Sequence, residues 1–167
     1  MKVIPHKALS IEVLDQIVEI KQKAWAYSRE SHLKWINANI KDDDLHVLII
    51  KEGNIIAYLN LVLVSLEINN QNINGYGIGN VVSAVRGAGY GKLIMESINQ
   101  YFVDNDVVGF LFCKPGLVAF YRKFYWRELD QNVISISAID GRKDEVNCMI
   151  YNFQSQVESI IYDGPLF

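Results

Sequence analysis

The residues with the clearest chemical meaning crowd one segment, Gly79-Asn80-Val81-Val82-Ser83-Ala84-Val85-Arg86-Gly87-Ala88-Gly89-Tyr90-Gly91-Lys92. An apolar run enters it, and a helical pattern leaves it at once, Leu93-Ile94-Met95 through Tyr101-Phe102. Amides in the first turn of a helix have no acceptor inside that helix, so this junction can face a phosphate. Glycines let the main chain curl into a nest of donors and approach an anion closely. Arg86 and Lys92 add full charges, and the helix dipole adds a favourable field. The predicted chemistry is phosphate binding by Arg86, Gly87, Ala88, Gly89, Tyr90, Gly91 and Lys92.

Two common phosphate loops fit badly. A P-loop requires Ser or Thr after its lysine to hold magnesium, and Leu93 follows Lys92. A dinucleotide fingerprint requires Gly-x-Gly-x-x-Gly after an early strand of a βαβ unit. Here Lys92 stands in the last position, and the preceding chain reads as antiparallel strands.

The elements that position this loop follow from patterning. Met1 to Leu9 reads as an edge strand, where Pro5 is tolerated. Ser10 suits a helix N-cap, and Leu14, Ile17, Val18, Ala24 and Trp25 recur on one face, predicting a helix from Ile11 to about Ser28. A second helix follows Ser31, and the acidic turn Lys41-Asp42-Asp43-Asp44 closes this part. Leu45 to Lys51 and Ile55 to Ile68 flank a Gly/Asn turn and predict a hairpin. After the polar loop Asn69 to Asn74, a third strand from Gly75 to Val82 enters the phosphate loop. The helix beyond runs to about Asp104, and Val107 to Cys113 reads as a strand covered on both faces. Leu117 to about Trp126 is predicted helical. Val133 to Ile139 and Val146 to Phe153 are predicted as two strands around the turn Asp140-Gly141. The order β-α-α-β-β-β-α-β-α-β-β predicts an α/β fold with a mixed sheet and helices on its faces.

At 167 residues the chain suits a single domain spanning 1–167 with a core needing no staples. A formal net charge of −3 and a pI near 5.6 give no reason to expect nucleic acid or an anionic membrane as partner. No apolar run approaches a membrane span and no signal-peptide core follows Met1. Cys113 and Cys148 lack a paired spacing, so free thiols in a reducing cytoplasm are expected. His6, His32 and His46 are too dispersed to suggest a metal.

The segment Arg86-x-x-Gly89-x-Gly91 resembles the Arg/Gln-x-x-Gly-x-Gly/Ala signature of the GNAT superfamily of acyl-CoA-dependent N-acetyltransferases. Phe120-Tyr121-Arg122-Lys123-Phe124-Tyr125-Trp126 is similar to that family's Phe-Tyr-x-x-x-Gly-Phe helix, and the element order matches too. The broader layout, with His46-Val47-Leu48, Gly75-Tyr76 and the tail Gly164-Pro165-Leu166-Phe167, is similar to the aminoglycoside 2′-N-acetyltransferase branch.

The resemblance implies a mostly antiparallel sheet splayed at a cofactor cleft, with acetyl-CoA as co-substrate and no metal. It implies that Gly79, Asn80, Val81 and Val82 offer main chain to pantetheine, and that Arg86 to Gly91 offer amides to the pyrophosphate. Tyr121 matches the family tyrosine beside the departing sulfur. A phenol able to donate a proton there lowers the cost of thiolate departure; the competing reading is packing among Phe120, Phe124 and Tyr125. Relatives often pair through their C-terminal strands, which makes a homodimer a further expectation.

Departures from the pattern are visible as well. Many relatives carry a glutamate on the central strand as general base, whereas Gly77-Ile78-Gly79-Asn80 holds no carboxylate. Glu67, the Asp42 to Asp44 turn, and the terminal carboxylate of Phe167 with Asp163 stand as alternatives, beside bulk water and beside plain solvated charge. Tyr125 replaces a glycine that usually ends the helix in a left-handed turn. Lys114 replaces an asparagine that contacts the cofactor. Cys113 reads as a buried core thiol in preference to a group in acyl transfer. Trp25, Tyr27, Ser28 and Trp35 are expected around a small-molecule or peptide amine acceptor, with Trp25 equally suited to core packing. The rival of an N-acetyltransferase is a non-catalytic acyl-CoA-binding sensor, and a different acyl chain is a third reading.

Overall fold

The computed structural model describes residues 1–139 and 145–167. The predicted turn Asp140-Gly141 lies outside the described residues. The chain forms two compact units, one of residues 1–62 and 79–98, the other of residues 63–78 and 99–167.

In the first unit, β1 (Lys2–Pro5) pairs antiparallel with β2 (Leu45–Lys51), and β2 pairs antiparallel with the first part of β3 (Asn54–Ile68). The β2–β3 turn places Glu52 and Gly53 at positive φ, as a tight hairpin requires. Val47, Leu48, Ala57, Leu59 and Leu61 are fully buried in this sheet. Helix α1 (Ile11–Ala24) begins at Ser10, whose hydroxyl accepts from the Val13 amide, and buries Ile17, Val18, Ile20 and Lys21. Helix α2 (Arg29–Asn39) begins at Ser28, whose hydroxyl accepts from the Ser31 amide, and buries His32 and Ile36. The last part of β4 (Gln71–Ser83) and the first turns of α3 (Tyr90–Asp104) complete the unit, with Ile94, Met95 and Ile98 buried at helical spacing.

In the second unit, β4 pairs parallel with β5 (Val108–Cys113) from Gly75 to Ile78. Strand β5 pairs antiparallel with β8 (Asn147–Tyr151), which pairs antiparallel with β6 (Arg127–Glu128). Strand β9 (Ile160–Tyr162) lies antiparallel to the end of β3 and parallel to β7 (Ile134–Ile136). The sheet is therefore mixed and mostly antiparallel, as expected. Between β5 and β6, a 3₁₀ turn at Pro115–Leu117 leads into the short helix α4 (Val118–Arg122). Leu66, Phe110, Ile139, Cys148, Ile150 and Ile160 form a core without solvent exposure.

Several boundaries differ from the sequence reading. Helix α1 stops at Ala24, where Trp25 turns extended, and Ser28 starts α2 instead of ending α1. The loop predicted over Asn69–Asn74 is only the pair Asn69-Asn70. Both adopt positive φ, which asparagine tolerates, and β4 begins at Gln71. The helix predicted to reach Trp126 ends at Arg122. The last strands do not form a hairpin, because β7 pairs with β9 while β8 joins β5 and β6. Hydrophobic alternation defines a strand but not its partner.

Candidate functional site

The first unit carries the predicted phosphate loop. Gly87 and Gly89 adopt φ of +80° and +78°, and a Cβ at either would meet nothing within 4 Å. The glycines therefore serve backbone conformation and an open surface, not packing. Arg86 to Gly89 are exposed, and their amides donate to no main-chain acceptor among the described residues. The first turn of α3 adds further free amides before Leu93 donates to the Gly89 carbonyl at 3.0 Å. Lys92 lies 3.7 Å from Glu96 in an exposed pair, so its charge is partly shared. A concave run of free amides with Arg86 beside it can receive a phosphate.

Asn80 sits within β4 at φ +54°, which breaks the strand's regular pleat just before the loop. Its side-chain NH₂ donates to Asn60 Oδ1 at 2.7 Å, and the buried Asn60 Nδ2 has no partner among the described residues. Gly79 and Val82 are buried, and Val81 is half-buried.

The same unit contains a cavity of about 460 Å³ lined by Lys21, Trp25, Tyr27, Ser31, His32, Trp35 and Asn80. Trp25, Tyr27 and Trp35 thus line one cavity. Ser28 is absent from the lining; its hydroxyl caps α2 and bonds Ser31 Oγ at 2.9 Å. Lys21, Ser31 and His32 were not anticipated in the lining. His32 is 4 % exposed, and its Nε2 lies 3.2 Å from the Trp25 carbonyl. A carbonyl only accepts, so Nε2 donates to it. Lys21 is 2 % exposed with its ammonium 4.3 Å from the Trp35 ring centroid, and burial pushes it down to about 8. Lys21 was legible in one respect, as a charge on the apolar stripe of Ile17, Val18 and Ile20. His32 gave no such signal, because its position depends on Trp25 leaving the helix.

The acidic turn is spent on structure. Asp43 pairs with Lys7 at 2.6 Å. Asp44 is buried, contrary to a solvated reading, and accepts from the Lys41 amide at 2.7 Å. None of the three aspartates lines the cavity.

The second unit carries Tyr121, on α4. It is 6 % exposed, and its ring packs against Phe120 and Trp126. Its hydroxyl makes no hydrogen bond among the described residues, and it is not one of the buried unpartnered atoms, so it reaches solvent. Burial, helped by Cys113, holds the phenol well above its ordinary range, so it is protonated and can only donate or accept without ionising. The thiols Cys113 and Cys148 are buried and pushed up to about 11 and about 12, chiefly by desolvation. Both stay protonated and unreactive at neutral pH.

The remaining predicted residues also belong to this unit. Glu67 is half-buried on β3 opposite Ile161 of β9. Phe167 packs its ring against Phe112 with centroids 5.0 Å apart, and against Phe110 and Tyr162. Lys114 is exposed at the end of β5. Tyr125 adopts φ +65° in the place of the family glycine. No group of His, Cys, Asp or Glu among the described residues is arranged to hold a metal. No helix of the described residues is long and apolar enough to cross a membrane.

Residues 6–129 match the family model described as an acetyltransferase (GNAT) domain. The chain belongs to the GNAT acetyltransferase family, an acyltransferase family. No curated protein matches the sequence. Among solved structures, the fold is similar to an acyl-CoA N-acyltransferase from Pseudomonas aeruginosa, with 18% identity, 90% of this chain and 97% of that chain covered, and a TM-score of 0.63. It is similar to ElaA from Escherichia coli, with 17% identity, coverage of 90% and 97%, and a TM-score of 0.64. It is also similar to YhbS from Escherichia coli, solved in complex with CoA, with 10% identity, coverage of 97% and 89%, and a TM-score of 0.64. At these identities the likeness is one of fold.

Proposed function

We propose that the protein is an acetyl-CoA-dependent N-acetyltransferase that moves an acetyl group directly to a primary amine. The observation that carries this reading is the loop Arg86–Gly91. Its free amides, two left-handed glycines and helix N-terminus suit the pyrophosphate of CoA. Gly79 to Val82 would present main chain to the pantetheine arm, in the manner of an added strand.

In the proposed reaction the acceptor nitrogen attacks the thioester carbonyl carbon, the carbon–sulfur bond breaks, and N-acetyl amine and free CoA thiol result. An alkylammonium must first lose a proton. His32 is suited to take it, since Nε2 is fixed by the Trp25 carbonyl and Nδ1 faces no protein partner among the described residues. Tyr121, kept protonated by burial, would donate to the departing sulfur. The cavity of Trp25, Tyr27, Trp35 and Asn80 would hold the amine.

One observation favours a second reading, a non-catalytic acyl-CoA sensor: neither Gly77 to Asn80 nor the cavity lining contains a carboxylate base. A calorimetric titration with acetyl-CoA, followed by thiol detection after adding amines, separates the two. Binding with amine-dependent thiol release supports the enzyme. Binding without release from any amine supports the sensor, and no binding contradicts both.

A further inference from the structure

The cavity beside α1 holds a cation without a counter-ion. Lys21 is 2 % exposed, and its ammonium lies over the Trp35 ring. None of the ion pairs among the described residues involves it. Removing an ammonium from water without an anion is unfavourable, and a cation–π contact offsets only part of that cost. A core that needed only an apolar filler at this position would be better served by leucine or methionine.

We infer that the cavity takes an amine acceptor that also carries a carboxylate, an amino acid with an apolar or aromatic side chain, whose carboxylate pairs with Lys21. This rests on the acyltransferase reading above and names its acceptor class. Three observations converge on it. The lining contains one cation and no anion, which matches a singly charged carboxylate better than a doubly charged phosphate. Trp25, Tyr27 and Trp35 supply flat apolar walls for the body of such a molecule. The Asn80 NH₂ is engaged by Asn60, which leaves the Asn80 carbonyl oxygen as an acceptor for the amine end. A volume of about 460 Å³ suits a ligand of this size.

The charge balance also argues against a polyamine or an aminoglycoside. Aromatic faces attract cations, but here Lys21 already occupies one face of Trp35, and no carboxylate of Asp42, Asp43 or Asp44 reaches the lining. A second cation would meet repulsion with nothing to offset it. Burial has already pushed Lys21 down to about 8. An anion beside it would relieve that cost, and the protein would recover it as affinity.

The test uses the two tryptophans of the cavity as reporters. Titration of the wild-type protein with N-acetyl-L-phenylalanine should quench or shift tryptophan fluorescence at a concentration at least about tenfold lower than N-acetyl-L-phenylalaninamide requires. In Lys21→Met the difference between acid and amide should vanish, with the fold checked by thermal melting. Equal binding of acid and amide, no response to either, or a preference that survives in Lys21→Met would overturn the inference. The acid–amide comparison needs only the wild-type protein, so an unstable variant does not remove the test. A second arm measures thiol release from acetyl-CoA with L-phenylalanine, L-phenylalaninamide and spermidine. Transfer that favours spermidine or the amide overturns the acceptor class and leaves the transferase standing. Acid-selective binding without transfer to any of them overturns the transferase and leaves the anion site.

Discussion

The ring of Phe167 occupies the space that a side chain at Gly77 would need: a Cβ built there collides with the ring. The Phe167 ring and a glycine of β4 are thus sterically matched. A glutamate at this point of the strand would displace a ring that also packs on Phe110 and Phe112.

Gly77→Ala is predicted to destabilise the protein by about 2 kcal/mol or more through overpacking, and Phe167→Ala by about 2–3 kcal/mol through lost burial. Because the second change removes the obstacle to the first, the double variant should cost less than the sum by about 1 kcal/mol. Urea denaturation of the four proteins measures that coupling.

Arg86→Ala should weaken CoA binding by roughly tenfold, the worth of a charge-assisted contact to phosphate, while leaving pantetheine binding unchanged. Gly89→Ala should weaken CoA comparably by straining a residue at φ +78° in the middle of the nest. Calorimetry with CoA and with pantetheine distinguishes a lost phosphate site from a general loss of binding.

Tyr121→Phe should lower kcat by roughly 10–100-fold and leave thermal stability unchanged or slightly raised. The stability half follows from the hydroxyl's lack of a partner among the described residues. A large fall in melting temperature with little effect on kcat would identify Tyr121 as a packing residue. His32→Gln should lower kcat/KM by roughly 100-fold.

Tyr125 is 85% exposed at φ +65°, a conformation that costs a bulky residue energy and returns no packing. Tyr125→Gly is predicted to stabilise the protein by about 1 kcal/mol, measured by thermal or urea unfolding.

His46 predicts a pH window. Burial, then the neighbouring charges of His6 and Lys21, lowers it from 6.5 to about 4. It is hydrogen-bonded on both sides, to His6 and to the Tyr58 hydroxyl, at 3.0 Å each. Between these two values the unfolded chain binds a proton that the folded one does not. The contribution is therefore whole above pH 6.5 and falls by roughly 3 kcal/mol as pH drops to about 4. Urea midpoints across this range should drop less steeply in His46→Gln than in the wild type.

The open glycine loop leading into α3 was legible because glycines followed by an apolar helical pattern carry their conformation in residue type and spacing. Helix α1 was legible for the same reason, since Leu14, Ile17 and Val18 fall at helical spacing. The cavity was not, because Lys21 and His32 acquire their places only when α1 and α2 pack. The true start of α2 at Ser28 shifts which residues face inward. The C-terminal strands were misjoined because β7 and β8 each find partners remote in sequence, in β9 and in β5 with β6. Asp44 read as surface charge because the Lys41 amide that engages it belongs to a turn whose geometry the composition does not reveal.

The most direct test of the central claim is to count products under single-turnover conditions with acetyl-CoA and an amino acid acceptor. Thiol release is read by absorbance and the N-acetyl product by mass spectrometry. The account predicts equal amounts of the two, no thiol without acceptor, no acetylated protein, and a slower turnover in Tyr121→Phe. Thiol release that needs no amine, acetyl groups accumulating on the protein, or bound acetyl-CoA that no amine discharges would contradict it.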